Sequence, residues 1–351
     1  MNSSPLGEGA RVAILMQGYL CDHFGKLGFG MLRYSPAEIV AVVDADHAGD
    51  DLPSLTGIPC CTPIVSSSNE ARDLGAEALV LGVAPPGGKL PQDWWEEVLK
   101  ALRLGMLVVN PLHKPLSTNE EVRRLGGRVW DVRVEPPDLD TAAARALVLS
   151  CARVLTVGTD MAVGKMTASL EMTFAARRIG VAAEFVATGQ TGICIWGSGV
   201  AVDAVRLDFA PGAVERETLR AASESGADVL FIEGQGAINH PAASATLAIM
   251  RGCMPTHLVL CARAQQRSLW RFPDLRIPPV RSLIETYETM AAGGGVFPRP
   301  QTIGIALDTH ELDESQALQA GERLESEVGL PVVDPVRHGA ARLVEWLVQK
   351  R

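Results

Sequence analysis

The chain has 351 residues, 47% hydrophobic and 21% charged, with a formal net charge of −9. That length suits two domains with full buried cores. The acidic balance argues against general affinity for nucleic acid or an anionic membrane, because both need a basic face.

Apolar runs alternate with helical patterns along the chain, the pattern of an α/β protein with mainly parallel sheets. A strand at 12–16 leads through a glycine-containing loop into a helix ending near Tyr34. A second strand at 39–43 closes on Asp44, and a third at 78–83 precedes a Pro-Pro-Gly-Gly turn at 85–88. A helix at 92–104 and a strand at 106–109 follow, giving a Rossmann-like domain over residues 1–135. Gly18, Gly25, Gly28 and Gly30 do not spell the dinucleotide fingerprint, and only Asp44 supports NAD there. An interaction or substrate-shaping role is expected for this half.

The proline- and charge-containing stretch 133–141 reads as a linker, and a helix at 142–151 delivers the chain to a strand at 154–157. This begins the second domain, residues 142–351. Its further strands are expected at 183–186, 229–232, 257–261, 302–307 and 332–333. Its helices are expected at 165–179, 212–225, 243–251, 280–291, 313–328 and 339–350. No run of about 20 apolar residues suggests a membrane span, and the first residues carry no secretory pattern. The seven cysteines show no C-x-x-C spacing. A zinc site or disulfide framework is therefore not expected, and a reducing cytoplasm fits.

The chemistry concentrates after the strand at 154–157. There Gly158-Thr159-Asp160-Met161-Ala162-Val163-Gly164-Lys165 stands between a strand and a helix. Met166, Leu170 and Phe174 recur at helical spacing, and Gly180 sits just past the helix end. Glycines let backbone N–H groups curl around an anion, the helix presents its positive end, and Lys165 supplies a full charge. This is a phosphate-binding loop (Gly158, Thr159, Asp160, Val163, Gly164, Lys165, Met166, Thr167). Lys165, read as an exposed loop lysine, would contribute little to packing.

Glu233 ends a buried-strand run in Glu233-Gly234-Gln235-Gly236, where an acidic group faces the phosphate site in P-loop proteins. It can hold a metal, accept a proton from an amine or orient a water. Asn239 and His240 follow at the same edge, with His240 the second catalytic candidate. Gln190 and Thr191, in the glycine-flanked stretch 188–192, and Asp203 are candidate substrate residues. Arg263, Arg267, Arg271 and Arg276 cluster after the strand at 257–261. In an acidic chain they suggest an anionic ligand, with Arg263 and Arg267 as carboxylate partners. The strand ends at Asp308 and Asp334 are positioned to touch a base.

The loop Gly-Thr-Asp-x-x-Val-Gly-Lys resembles that of dethiobiotin synthetase, one residue longer than the common phosphate loop. In those enzymes a magnesium-binding hydroxyl follows the lysine. Here Met166 stands there and Thr167 comes one later, and a thioether is a poor ligand for hard Mg²⁺.

Taken whole, the chain resembles a two-domain P-loop family long labelled as of unknown function, some of whose members are D-glutamate N-acetyltransferases using acetyl-CoA. The resemblance rests on Gly25-Lys26, Leu32-Arg33-Tyr34 and 39–44, then on 158–167, 188–192, 203–209 and 233–241. It implies N-acetylation of a small acidic amino acid, with acetyl-CoA held by its pyrophosphate. An ATP–Mg enzyme of the dethiobiotin synthetase type, with Glu233 or Thr167 at the metal, is the alternative. A non-catalytic nucleotide-binding protein is the third reading. The oligomeric state is left open.

Overall fold

The computed structural model describes residues 5–21, 25–83 and 90–349. The turn expected at 85–88 and the last residue of the helix expected at 339–350 lie outside the described residues. The chain divides into two units. Unit 1 comprises residues 1–135 with 190–204, and unit 2 comprises 136–189 with 205–351.

Unit 1 holds strands β1 (Arg11–Leu15), β2 (Glu38–Val43), β3 (Ile64–Val65), β4 (Ala78–Leu81), β5 (Leu107–Asn110) and β6 (Val129–Asp131). They form one parallel sheet in the order β3-β2-β1-β4-β5-β6, the order of Rossmann-like sheets. Both faces are covered, so the strands are nearly continuous apolar runs rather than alternating ones. Ala13, Leu15, Val43, Leu79, Leu81 and Val108 pack with Trp94 and Val98 of the helix Gln92–Arg103. Trp94 is fully buried, and its indole N–H donates to the carbonyl of Gln17 at 2.9 Å. The helix Lys26–Tyr34 follows β1, and Asp44, at the end of β2, is fully buried.

Unit 2 holds β7 (Ala152–Gly158), β8 (Ala183–Val186), β9 (Val229–Ile232), β10 (His257–Arg263), β11 (Ser268–Leu269), β12 (Phe272–Arg276), β13 (Gln301–Asp308) and β14 (Val332–Val333). The main sheet runs β14-β13-β10-β7-β9-β8 and is parallel throughout. β7, which carries the phosphate loop, lies at its centre. The chain moves to β8 and β9 on one side and then to β10, β13 and β14 on the other. The reversal falls between β7 and β10, where α/β sheets open a crevice at their carboxyl ends. At the crossing of β7 and β9, a Cβ on Gly234 would lie 1.7 Å from the carbonyl oxygen of Thr156, so only glycine fits.

Of Met166, Leu170 and Phe174, which recur at helical spacing on the helix Lys165–Arg178, only Leu170 is buried. Ala168, Met172, Ala175 and Ala176 face the core instead, with Leu343, Val344 and Leu347 of the helix Ala341–Gln349. The helix expected at 142–151 is only a short 3₁₀ turn, Arg145–Val148. The fully buried Glu215 carboxylate takes the N–H groups of Ala143 and Arg145, and Ala144 sits at φ 56°, outside helical geometry. The glycine-flanked stretch 188–192, where no helix was expected, runs into a helix at Gln190–Trp196. No described helix is long and apolar enough to cross a membrane.

Candidate functional site: the phosphate loop of unit 2

The loop is curled by its own sequence and held by side chains from four directions. Gly164 sits at φ 82°, a left-handed conformation that a side chain would strain, and hands the chain to the helix beginning at Lys165. The Tyr287 hydroxyl donates to the carbonyl of Gly158 at 2.7 Å and accepts the N–H of Ile238 at 2.9 Å. Asn239 Nδ2 donates to the carbonyl of Thr159 at 3.0 Å. Lys165 Nζ donates to the carbonyl of Asp160 at 2.8 Å, and Arg263 Nη2 to that of Ala162 at 3.0 Å. The loop carbonyls are thus engaged, while the first-turn N–H groups of the helix have no intrahelical acceptor. The result is a positive concavity.

Lys165 is 7% exposed rather than a surface lysine. Burial lowers its pKa to about 8, against the opposing pull of Cys261, Asp160 and Glu233. A desolvated ammonium beside a curled loop is suited to a phosphate oxygen, which would restore its preference for charge.

Asp160 is fully buried and does not face outward as a ligand group. Its Oδ1 accepts the N–H of Met161 at 2.6 Å. Its Oδ2 accepts from Gln266 Nε2 at 2.5 Å and from the Trp270 N–H at 2.6 Å. It therefore fastens the β11–β12 hairpin to the phosphate loop. That hairpin replaces the arginine-rich loop of the sequence reading, and all of β12 is exposed. Arg267 is exposed on it, and Arg271 stacks on Trp270 at 4.2 Å. Arg263 is committed elsewhere, with Nε 3.1 Å from Asp308 Oδ2 as well as its bond to Ala162.

Glu233 lies at the end of β9 and is 4% exposed. Its Oε2 accepts the N–H groups of Thr188 and Gly189 at 3.0 and 3.1 Å, and Gln235 Nε2 lies 3.3 Å from Oε1. The carboxylate is held in one orientation by these contacts. His240 is buried, edge-on to Phe272 at 5.4 Å between ring centroids. Its Nδ1 accepts the N–H of Ala242 at 3.1 Å, which puts the proton on Nε2. Nε2 is directed at the Trp270 carbonyl (3.5 Å) and Asp160 Oδ1 (3.8 Å). His240 thus braces the same hairpin. The side-chain oxygens of Asn239 and Gln266 are buried without a donor among the described residues, leaving two acceptors beside the loop.

Among known proteins, residues 140–344 match a family model described as a domain of unknown function, the DUF1611 C-terminal P-loop domain. Residues 45–135 match its N-terminal Rossmann-like partner. The chain belongs to the DUF1611 family. The crystal structure of a DUF1611 family protein from Anabaena variabilis is 47% identical, with a TM-score of 0.92, over 97% of this chain and 100% of that one. A D-glutamate N-acetyltransferase of Tritonibacter scottomollicae is 35% identical over 328 residues, 92% of this chain and 93% of the relative. A D-glutamate N-acetyltransferase of a Pseudoalteromonas species is 36% identical over 280 residues, 78% of this chain and 82% of the relative. These relatives point to an enzyme acting on a small molecule.

In this DUF1611 protein the loop residues Gly158 to Thr167, Glu233, His240, Arg263 and Arg267 all belong to unit 2. Gln190 and Thr191, at the start of the helix Gln190–Trp196, and Asp203 belong to unit 1. Among the described residues no group of three or more His, Cys, Asp or Glu is gathered to hold a metal ion. Sequence reasoning missed Tyr287 and Gln266. Tyr287 sits in an amphipathic helix with nothing to mark its hydroxyl as a loop anchor. Gln266 sits in what reads as a polar loop.

Proposed function

We propose that the protein transfers the acetyl group of acetyl-CoA to the amine of a small acidic amino acid, D-glutamate or a close relative. Likeness along nearly the whole chain to a D-glutamate N-acetyltransferase carries this reading. Met166, in the place of a magnesium-binding hydroxyl, supports a loop that grips a pyrophosphate without cleaving it.

The loop fits the ADP pyrophosphate of CoA. A Cβ on Gly158 would lie 2.8 Å from both Asp160 O and Lys165 Nζ, so the backbone closes tightly around the lysine. The N–H groups at the start of the helix and Lys165 would hold the phosphate oxygens. Acetyl-CoA supplies an acyl thioester: the acceptor nitrogen bonds to the acetyl carbon, the carbon–sulfur bond breaks and the thiol leaves. The acceptor amine must lose a proton in this exchange, and Glu233 Oε1 is the proposed base. Its other oxygen is fixed by two backbone N–H groups, which holds the carboxylate in place. His240, its Nδ1 occupied, braces the hairpin rather than moving the proton.

The test is thiol release from acetyl-CoA across a panel of D- and L-amino acids, beside a thermal-shift comparison of acetyl-CoA, CoA, ATP–Mg, GTP–Mg and NAD. A ligand of the folded state alone must raise its apparent stability. Release with D-glutamate is expected. ATP turnover with no thiol release would reject this reading in favour of the ATP-dependent one, which half-buried Thr167 in the helix's first turn supports.

A further inference from the structure

The hairpin that follows β10 is tied to the phosphate loop through its backbone, while most of its side chains are left to solvent. Asp160 takes the Trp270 N–H at 2.6 Å, and buried His240 packs edge-on against Phe272. Yet all of β12 is exposed, and Trp270 itself is 47% exposed. A large aromatic ring therefore stands next to the loop without filling the core.

The tip of the hairpin breaks a local rule. Leu269 pairs with Phe272, so Trp270 and Arg271 are the two residues that turn the chain. Such turns favour glycine or asparagine, because left-handed backbone strains other residues. Arg271 sits there at φ 66°. Its guanidinium carbon lies 4.2 Å from the centroid of the Trp270 ring. Glycine would relax the turn and keep the hairpin. A strained turn that presents a stacked Trp–Arg pair points to a use for that pair.

The charge of the hairpin runs against that of the chain. Between 265 and 276, Arg267, Arg271 and Arg276 outnumber a single acid, Asp274, in a protein of net charge −9. None of the three pairs with a carboxylate among the described residues. Arg263, by contrast, is engaged by Asp308 and the Ala162 carbonyl. CoA differs from ATP in carrying a further phosphate on the ribose 3′-oxygen. Pyrophosphate, ribose and base are consecutive parts of that molecule. Gripped by its pyrophosphate on the loop, it presents the ribose phosphate and the base to whatever borders the loop. An aromatic face stacks on a purine, and arginine takes a phosphate through two parallel hydrogen bonds.

We infer that the Trp270–Arg271 tip binds the 3′-phosphoadenosine end of the cofactor. Trp270 stacks on the adenine and Arg271 pairs with the ribose 3′-phosphate. The tip thereby selects CoA over nucleotides that lack this phosphate. The inference rests on the reading of the loop as a CoA site.

The experiment is calorimetric titration of the full chain with CoA, 3′-dephospho-CoA and inorganic pyrophosphate. It compares the wild type with Arg271→Asn and Trp270→Leu. Asparagine tolerates the left-handed backbone, and Trp270→Leu keeps the N–H that Asp160 holds. The wild type should bind CoA about tenfold more tightly than 3′-dephospho-CoA, the loss of one charge-assisted contact. Arg271→Asn should bind the two alike. Trp270→Leu should weaken both by about tenfold. Pyrophosphate, which meets the loop alone, should bind all three proteins equally. Equal wild-type affinity for the two cofactors overturns the inference, as does discrimination that survives in Arg271→Asn. Unchanged CoA binding in Trp270→Leu overturns the stacking. Pyrophosphate binding lost in step with CoA binding overturns a subsite separate from the loop. Thiol release without any discrimination rejects the tip and leaves acetyl transfer standing. Discrimination that depends on Arg271, in a protein that releases no thiol with any amino acid, upholds the tip and rejects acetyl transfer.

Discussion

The carboxylate of Asp160 accepts the backbone N–H of Trp270 at 2.6 Å, so one side chain of the phosphate loop holds the hairpin that follows β10. The same oxygen takes the amide of Gln266. Asp160→Asn keeps the size but can turn an NH₂ group toward these donors. It is expected to destabilise the protein by about 1–3 kcal/mol. Amide exchange should accelerate over residues 266–276 more than in β7 or β9. Measured by mass spectrometry, unaltered protection of the hairpin would refute the tether.

Lys165 gives a pH dependence with a fixed sign. Its folded-state pKa is about 8, against 10.5 for an unburied lysine. Between those values the unfolded chain binds more protons than the folded one, so stability rises with pH. The penalty for burying the cation is fully present below about 8 and is relieved as pH climbs toward 10.5. Lys165→Met, which removes the charge, should flatten this rise in chemical denaturation curves taken across that window. Pyrophosphate binding should reverse the shift, so CoA binding at pH 8.5 should take up protons. Calorimetry in buffers of different ionisation enthalpy reads that uptake, and none would separate Lys165 from the phosphates.

Glu233→Gln can keep its carbonyl oxygen on the Thr188 and Gly189 N–H groups, and Gln235 can turn its own amide to suit. The fold should survive, while the basic oxygen is lost. The rate constant kcat should fall by about 10²-fold or more with a smaller change in KM. A change confined to KM would make Glu233 a binding group.

Met166 leads to a metal test. If the loop serves CoA, EDTA should leave thiol release nearly unchanged, and Met166→Thr should bring no gain. Strict dependence on Mg²⁺ with ADP as product would point to the ATP-dependent alternative.

Much of the fold was legible because parallel strands buried on both faces read as unbroken apolar runs, as at 229–232 and 78–81. The strand–glycine–lysine–helix order announced the phosphate loop. What escaped notice depends on contacts distant in sequence. A helix seemed due at 142–151 because nothing local shows that Glu215 captures the amides of Ala143 and Arg145. The β11–β12 hairpin is too short and too polar to show period-two alternation, and it is pinned by Asp160 more than a hundred residues earlier. Lys165 reads as exposed because its burial comes from β9 and β10, not from its neighbours. Arg133 sat in a stretch read as a linker, where only the fold reveals its contacts with Asp203 and His113.

The carbonyls of Gly158, Thr159, Asp160 and Ala162 are each held by a side chain, from Tyr287, Asn239, Lys165 and Arg263. The loop is therefore preorganised: its curl exists before any phosphate arrives, and little ordering entropy remains to be lost on association. Such a receptor selects by shape and charge rather than by moulding itself. Truncated ligands that retain the pyrophosphate should keep much of the affinity of the whole cofactor, while those that lose it should not be rescued by a longer acyl arm.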